Sequence, residues 1–162
     1  MKYQFTLLLV AILCFSSCKE DPSFIFEVDN VAVKPSSADK NRLKTDIEFV
    51  SIAYTDIYGS SISQSELEDI ITSYQSFGDK SLVIELIIRK FIFTSQSNIP
   101  SINRNNISDV ENFVQQAYEK LYNRTPNAFE KWYLSDYIMS NSFINGETFY
   151  YSLMTSNEYR YY

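Results

Sequence analysis

Sliding the chain against itself by 64 residues lays Phe49-Val50-Ser51-Ile52-Ala53-Tyr54-Thr55-Asp56-Ile57-Tyr58 over Phe113-Val114-Gln115-Gln116-Ala117-Tyr118-Glu119-Lys120-Leu121-Tyr122, with five of ten positions identical. The same offset pairs Glu66 with Glu130. Self-similarity at a fixed spacing is the signature of a duplicated supersecondary unit, which must bury its apolar face against its own copy. The spacing therefore narrows the body of the chain to two tandem copies of one module.

The module reads as helical. Val110, Phe113, Val114, Ala117, Tyr118 and Leu121 recur at i, i+3, i+4, i+7, i+8 and i+11, one apolar stripe of an α-helix. Phe49, Val50, Ala53, Tyr54 and Ile57 repeat it. Thr45-x-x-Glu48, Ser108-x-x-Glu111 and Ser63-x-x-Glu66 have capping-box spacing, in which a hydroxyl takes one orphan N–H and the Glu reaches back to another. Gly59 is expected to end the first helix, and Thr125 with Pro126 to open the second helix of the second copy. Third helices are expected from Lys80 to about Phe93 and from Glu147 to about Tyr159. There Leu82, Val83, Leu86 and Ile87 match Phe149, Tyr150, Leu153 and Met154 at an offset of 67. The run Ser81 to Phe93 is apolar nearly all round and predicts a buried central helix. The expected fold class is all-α: two tandem three-helix units packed as one small domain over 45–162, with repeat one at 45–93 and repeat two at 108–162. A polar link, 94–106, joins them.

Ahead of this body, Lys2 precedes an uncharged apolar run of eleven residues, Phe5 to Phe15, too short to span a bilayer as a helix. A positive n-region, a short apolar h-region and small residues read as a secretory signal. Here Ser16-Ser17 leads straight into Cys18, so 1–17 resembles the signal peptide of a bacterial lipoprotein. The resemblance implies that Cys18 is acylated and becomes the first residue of the mature chain. An ordinary cleaved signal followed by a stray Cys is the alternative. Acyl chains contribute about 0.8 kcal/mol per buried methylene, so two or more hold a protein durably. The membrane partnership expected is thus through lipid on Cys18. Lys19-Glu20-Asp21 is similar to the acidic cluster that directs Bacteroidetes lipoproteins to the cell surface, which implies an outer-membrane, surface-exposed address. A merely solvated tether is the other reading of those charges. Residues 18–44 read as tether, with an apolar patch at Phe24-Ile25-Phe26-Glu27-Val28 expected to dock on the chain's own domain. Tyr54-x-Asp56-Ile57-x-Gly59 resembles a helical domain of unknown function abundant in planctomycete proteins. Leu121-Tyr122-Asn123-Arg124-Thr125-Pro126 is similar to a helical repeat of bacterial surface proteins. Neither resemblance implies catalytic residues.

Composition narrows the chemistry. The chain has no His, which removes imidazole acid-base work, His-paired nucleophiles and His-ligated zinc or haem. A net charge of −6 with scattered basic residues carries no footprint for a phosphate backbone, so nucleic acid is not an expected partner. Neither a calcium loop nor a phosphate loop is spelled out, and no metal or cofactor is expected. Glu66, Glu68 and Asp69, with Asp56 and Glu130, are carboxylates of the kind that hydrolyse glycosides in pairs. Helix-start acids complementing the macrodipole are the plainer reading of the same residues.

The remaining feature is aromatic load in the second copy. Trp132, Tyr133, Tyr137, Tyr150 and Tyr151 are the candidate interface residues, since Tyr and Trp suit surfaces that are apolar on one side and wet on the other. Half core and half ordinary surface is the competing reading. The expectation is a non-enzymatic surface lipoprotein acting as accessory subunit of a larger outer-membrane complex for transport or secretion; the alternative is a surface glycan-binding module, and a carboxylate-only hydrolase is the third class.

Overall fold

The computed structural model describes residues 41–94 and 96–161, which lie in one compact unit. The signal, Cys18, Lys19-Glu20-Asp21 and the Phe24–Val28 patch lie outside the described residues. Within them the chain is all-helical: α1 (Asp46–Tyr58), α2 (Gln64–Ser76), α3 (Lys80–Ile92), α4 (Ile107–Tyr122), α5 (Ala128–Ser140), α6 (Gly146–Met154) and a short 3₁₀ turn, Glu158–Arg160.

The duplication is physical. α2 and α5 begin and end 64 residues apart, and the helices before them both stop in left-handed residues at the same offset, Gly59 (φ 71°) and Asn123 (φ 52°). Glycine reaches that region without a Cβ penalty and Asn tolerates it. Burial repeats too: Phe49, Val50, Ala53 and Ile57 of α1 correspond to Phe113, Val114, Ala117 and Leu121 of α4. So does a hydrogen bond. Tyr58 Oη donates to the Phe91 carbonyl at 3.1 Å, and Tyr122 Oη to the Leu153 carbonyl at 3.0 Å. Each tyrosine satisfies an acceptor in the last turn of its own third helix, where no intrahelical N–H is left.

Within repeat one, α1, α2 and α3 pack on one another; within repeat two, α4 packs against α5 and α6. The repeats meet chiefly through their third helices, α3 on α6. The inter-repeat link binds both halves. Asn98 donates its backbone N–H to the Ile57 carbonyl at 2.8 Å, and the Arg104 guanidinium binds the Ile144 carbonyl in the loop after α5. Leu43 and Tyr161 form an isolated antiparallel bridge, and Lys44 N donates to the Arg160 carbonyl at 2.9 Å.

Several expected details are corrected. Residue 45 caps α1 with a complete box, but Ser63 supplies only the acceptor half at α2. The second-copy caps are Asn106 and Asn127 rather than Ser108 and Thr125, and Pro126 lies outside the helix. The third helices align at 66, not 67: Val83, Ile84, Ile87 and Ile88 are buried, as are Phe149, Tyr150, Leu153 and Met154. Leu82 and Leu86 face solvent, so α3 is not covered all round. α6 stops at Met154 because Thr155, Ser156 and Asn157 follow, and such side chains draw the backbone out of the helix.

Candidate functional site

Helix α5 opens with a reciprocal cap, Asn127 Oδ1 accepting from Glu130 N at 2.8 Å and Glu130 Oε2 accepting from Asn127 N at 2.7 Å. Arg124 fixes this start. Its guanidinium donates bidentately to Glu130 at 2.8 and 2.8 Å and to Glu158 at 2.6 and 2.9 Å, tying α4's end to α5 and to the 3₁₀ turn. Planar forks of this kind orient as well as attract. Those hydrogen bonds from Arg124 hold the Glu130 carboxyl below its ordinary range, despite opposing desolvation.

The helix so placed buries a narrow face, with Ser135 and Ile138 covered and Leu134 partly covered. Its other sides carry rings. Phe129 is 67% exposed, Trp132 60%, Tyr133 51% and Tyr137 45%. Phe129, Tyr133 and Tyr137 stand at i, i+4 and i+8, where side chains on a helix meet. Phe129 and Tyr133 have centroids 5.8 Å apart with planes 15° apart; for Tyr133 and Tyr137 the values are 6.3 Å and 5°. Trp132 leans on Phe129 at 6.0 Å. Parallel rings in face contact are about 3.5–4 Å apart between planes, so centroids this far apart leave most of each ring face open. Half-exposed rings of this size present on the order of 500 Å² of apolar surface together. That is the scale of the largest patch on an ordinary monomer, which is often functional.

The first repeat supplies an internal control. At the offset of 64 the counterparts of Phe129, Trp132, Tyr133 and Tyr137 are Ser65, Glu68, Asp69 and Ser73, all exposed on α2. The buried faces coincide, Ile70, Ile71 and Tyr74 against Leu134, Ser135 and Ile138. The fold is therefore satisfied by a polar outer face at this position, and the rings of α5 are not needed to build the core.

The structure brings Trp132, Tyr133 and Tyr137 together and adds Phe129. Tyr150 is corrected: it is only 2% exposed, because it takes the buried position matching Ile84, and burial pushes its phenol up to about 12. Tyr151 is half-buried elsewhere, with its ring 6.2 Å from Phe93 and its hydroxyl 2.6 Å from Glu85. The contrast between α5 and α2 was readable from the offset alone; the parallel set of the rings was not.

The carboxylates scatter. Glu130 is engaged by Arg124, Glu68 accepts from Gln64 at 2.9 Å, and Glu66 sits at the start of α2. Asp56 is the one with an unusual environment. Burial raises its carboxyl to about 6, against the Tyr159 hydroxyl that donates to it at 2.7 Å and the charges of Lys44 and Lys120. Lys44 sits 4.1 Å from the Tyr159 ring centroid. Among the described residues no group of three or more His, Cys, Asp or Glu is placed to hold a metal, and no helix is long and apolar enough to cross a membrane.

Comparison with protein-family models, with curated proteins and with solved structures finds no match.

Proposed function

We propose that the chain is a non-enzymatic lipoprotein of the outer membrane, held by acyl chains on Cys18, exported to the cell surface under the direction of Lys19-Glu20-Asp21, and serving as an accessory subunit of a larger transport or secretion complex. The observation that carries the subunit reading is the outer face of α5: four exposed rings where the duplicated helix α2 has two serines and two acids. Interface centres favour Trp and Tyr set in a polar surround, and such rings commonly anchor the binding energy.

The test restores the first repeat's residues on α5, with Phe129→Ser, Trp132→Glu, Tyr133→Asp and Tyr137→Ser in the tagged full-length chain. Purification from native membranes is expected to return a stoichiometric partner with the parent and to lose it with the variant, while both unfold at similar temperatures. A parent that repeatedly comes out alone ends the reading. Palmitate labelling lost in Cys18→Ala tests the anchor, and protease accessibility in intact cells tests the address.

A second reading has its own support. Parallel rings with open faces suit stacking against the flat faces of sugars, and Asp136 is exposed one turn beyond Trp132 to accept from hydroxyls. Binding to a polysaccharide panel that is lost on Trp132→Ala favours this glycan-binding module over the subunit.

A further inference from the structure

A cleft of about 340 Å³ opens where the repeats meet, lined by Ser81, Ile84 and Glu85 of α3, Tyr151 of α6, and Asn157 and Arg160 of the 3₁₀ segment. Its volume lies at the low end for small-molecule sites, which are concave and carry a few converging polar groups on an apolar lining. The polar groups here are of opposite charge and sit on different repeats. On one wall Glu85 accepts from the Tyr151 hydroxyl at 2.6 Å, which fixes the carboxylate and leaves its remaining lone pairs open. Arg160 brings the positive charge. It is partly buried, yet among the described residues its guanidinium makes no salt bridge or hydrogen bond. Beside it, Asn157 makes no side-chain cap bond, and the amide is left to donate. Ile84, 4% exposed, gives the cleft an apolar floor.

Elsewhere in the molecule Arg124 is spent on two carboxylates and Arg104 on backbone carbonyls, while the Arg89 charge acts on Tyr151. Arg160 and Glu85 share a cleft without pairing with each other, which is the arrangement a molecule carrying both charges would complete. A monoanion would meet Glu85 and a monocation would meet Arg160, and like charges in a recessed site repel. We infer that the cleft between α3, α6 and the 3₁₀ turn binds a small zwitterion of amino-acid to dipeptide size, its carboxylate on Arg160 and Asn157, its ammonium on Glu85, and its side chain over Ile84. The inference does not depend on the anchor or on the α5 face.

The test is calorimetric titration of the full-length chain in detergent micelles with leucine and leucyl-leucine, each also as the N-acetyl and the C-terminal amide form. The expected result is saturable binding of at least one zwitterion. Blocking either end should weaken it at least tenfold, as should Arg160→Gln or Glu85→Gln, while Lys90→Gln, outside the cleft, leaves it unchanged. Thermal melts of both cleft variants confirm that each is folded. Absence of binding by either zwitterion overturns the inference. So does binding indifferent to acetylation or amidation, or binding that survives Arg160→Gln.

Discussion

At the scale of single residues, two buried groups make sharp predictions. Burial raises the Asp56 carboxyl from 3.8 in the unfolded chain to about 6 in the folded one. The folded state therefore holds the proton more tightly, so this group's contribution is greatest below the unfolded value and is lost as pH rises through 6. Between those limits the difference amounts to roughly 3 kcal/mol. Asp56→Asn, which keeps an acceptor for Tyr159, is expected to unfold at higher urea concentration than the parent at pH 7.5, with the gap closing towards pH 4. A gap that stays constant with pH contradicts this. Ser135 offers the second case. Its Oγ is buried with no hydrogen-bond partner among the described residues. An unsatisfied buried hydroxyl costs about 1–3 kcal/mol. Ser135→Ala is expected to raise the melting temperature, because it removes that group and leaves only a small void against α4.

Between helices, the informative residue is Gly146, at the first position of α6. A Cβ there would stand 2.2 Å from the Pro100 carbonyl oxygen, a backbone atom of the link that cannot swing aside. Gly146→Ala is expected to destabilise by about 1–3 kcal/mol, the range for forced overpacking. Gly78→Ala, whose Cβ meets nothing within 4 Å, should stay within about 0.5 kcal/mol of the parent. Denaturant curves on the pair separate close packing from loss of glycine as such. This is also the scale at which the sequence was most and least informative. Six helices and their pairing by offset were legible, because Phe49/Phe113 and Tyr58/Tyr122 are the same residues doing the same jobs. The second-copy caps were not, since Asn serves an N-cap as well as Ser or Thr and only the emerging chain selects Asn106 over Ser108. The third-helix register slipped by one because α3 has apolar residues on several sides, and Leu82 and Leu86 align as plausibly as Val83 and Ile84 until packing chooses.

For the whole molecule, the repeat gives each side chain a partner for comparison. Where the copies agree, as in the Tyr58 and Tyr122 hydrogen bonds, the role is in holding the module together. Where they differ at equal exposure, as on α2 and α5, the fold does not demand the difference. Restoring the first repeat's residues on α5 is accordingly expected to leave the melting temperature within a few degrees while abolishing capture of the proposed membrane partner. A collapse of the fold in that variant would move the rings from recognition to architecture. The aromatic load of repeat two was plain in the sequence, but its division was not. Burial takes Tyr150 and Tyr159 inside, while α5 keeps its four rings out.

The bridge between Leu43 and Tyr161 puts the start and finish of the helical unit side by side. Which repeat comes first is then a matter of where the chain is cut rather than of how the helices pack. Joining the two ends through a short glycine-serine segment and opening the link near Ser97 yields a circular permutant with repeat two leading. It should recover the parent's helical circular-dichroism signal.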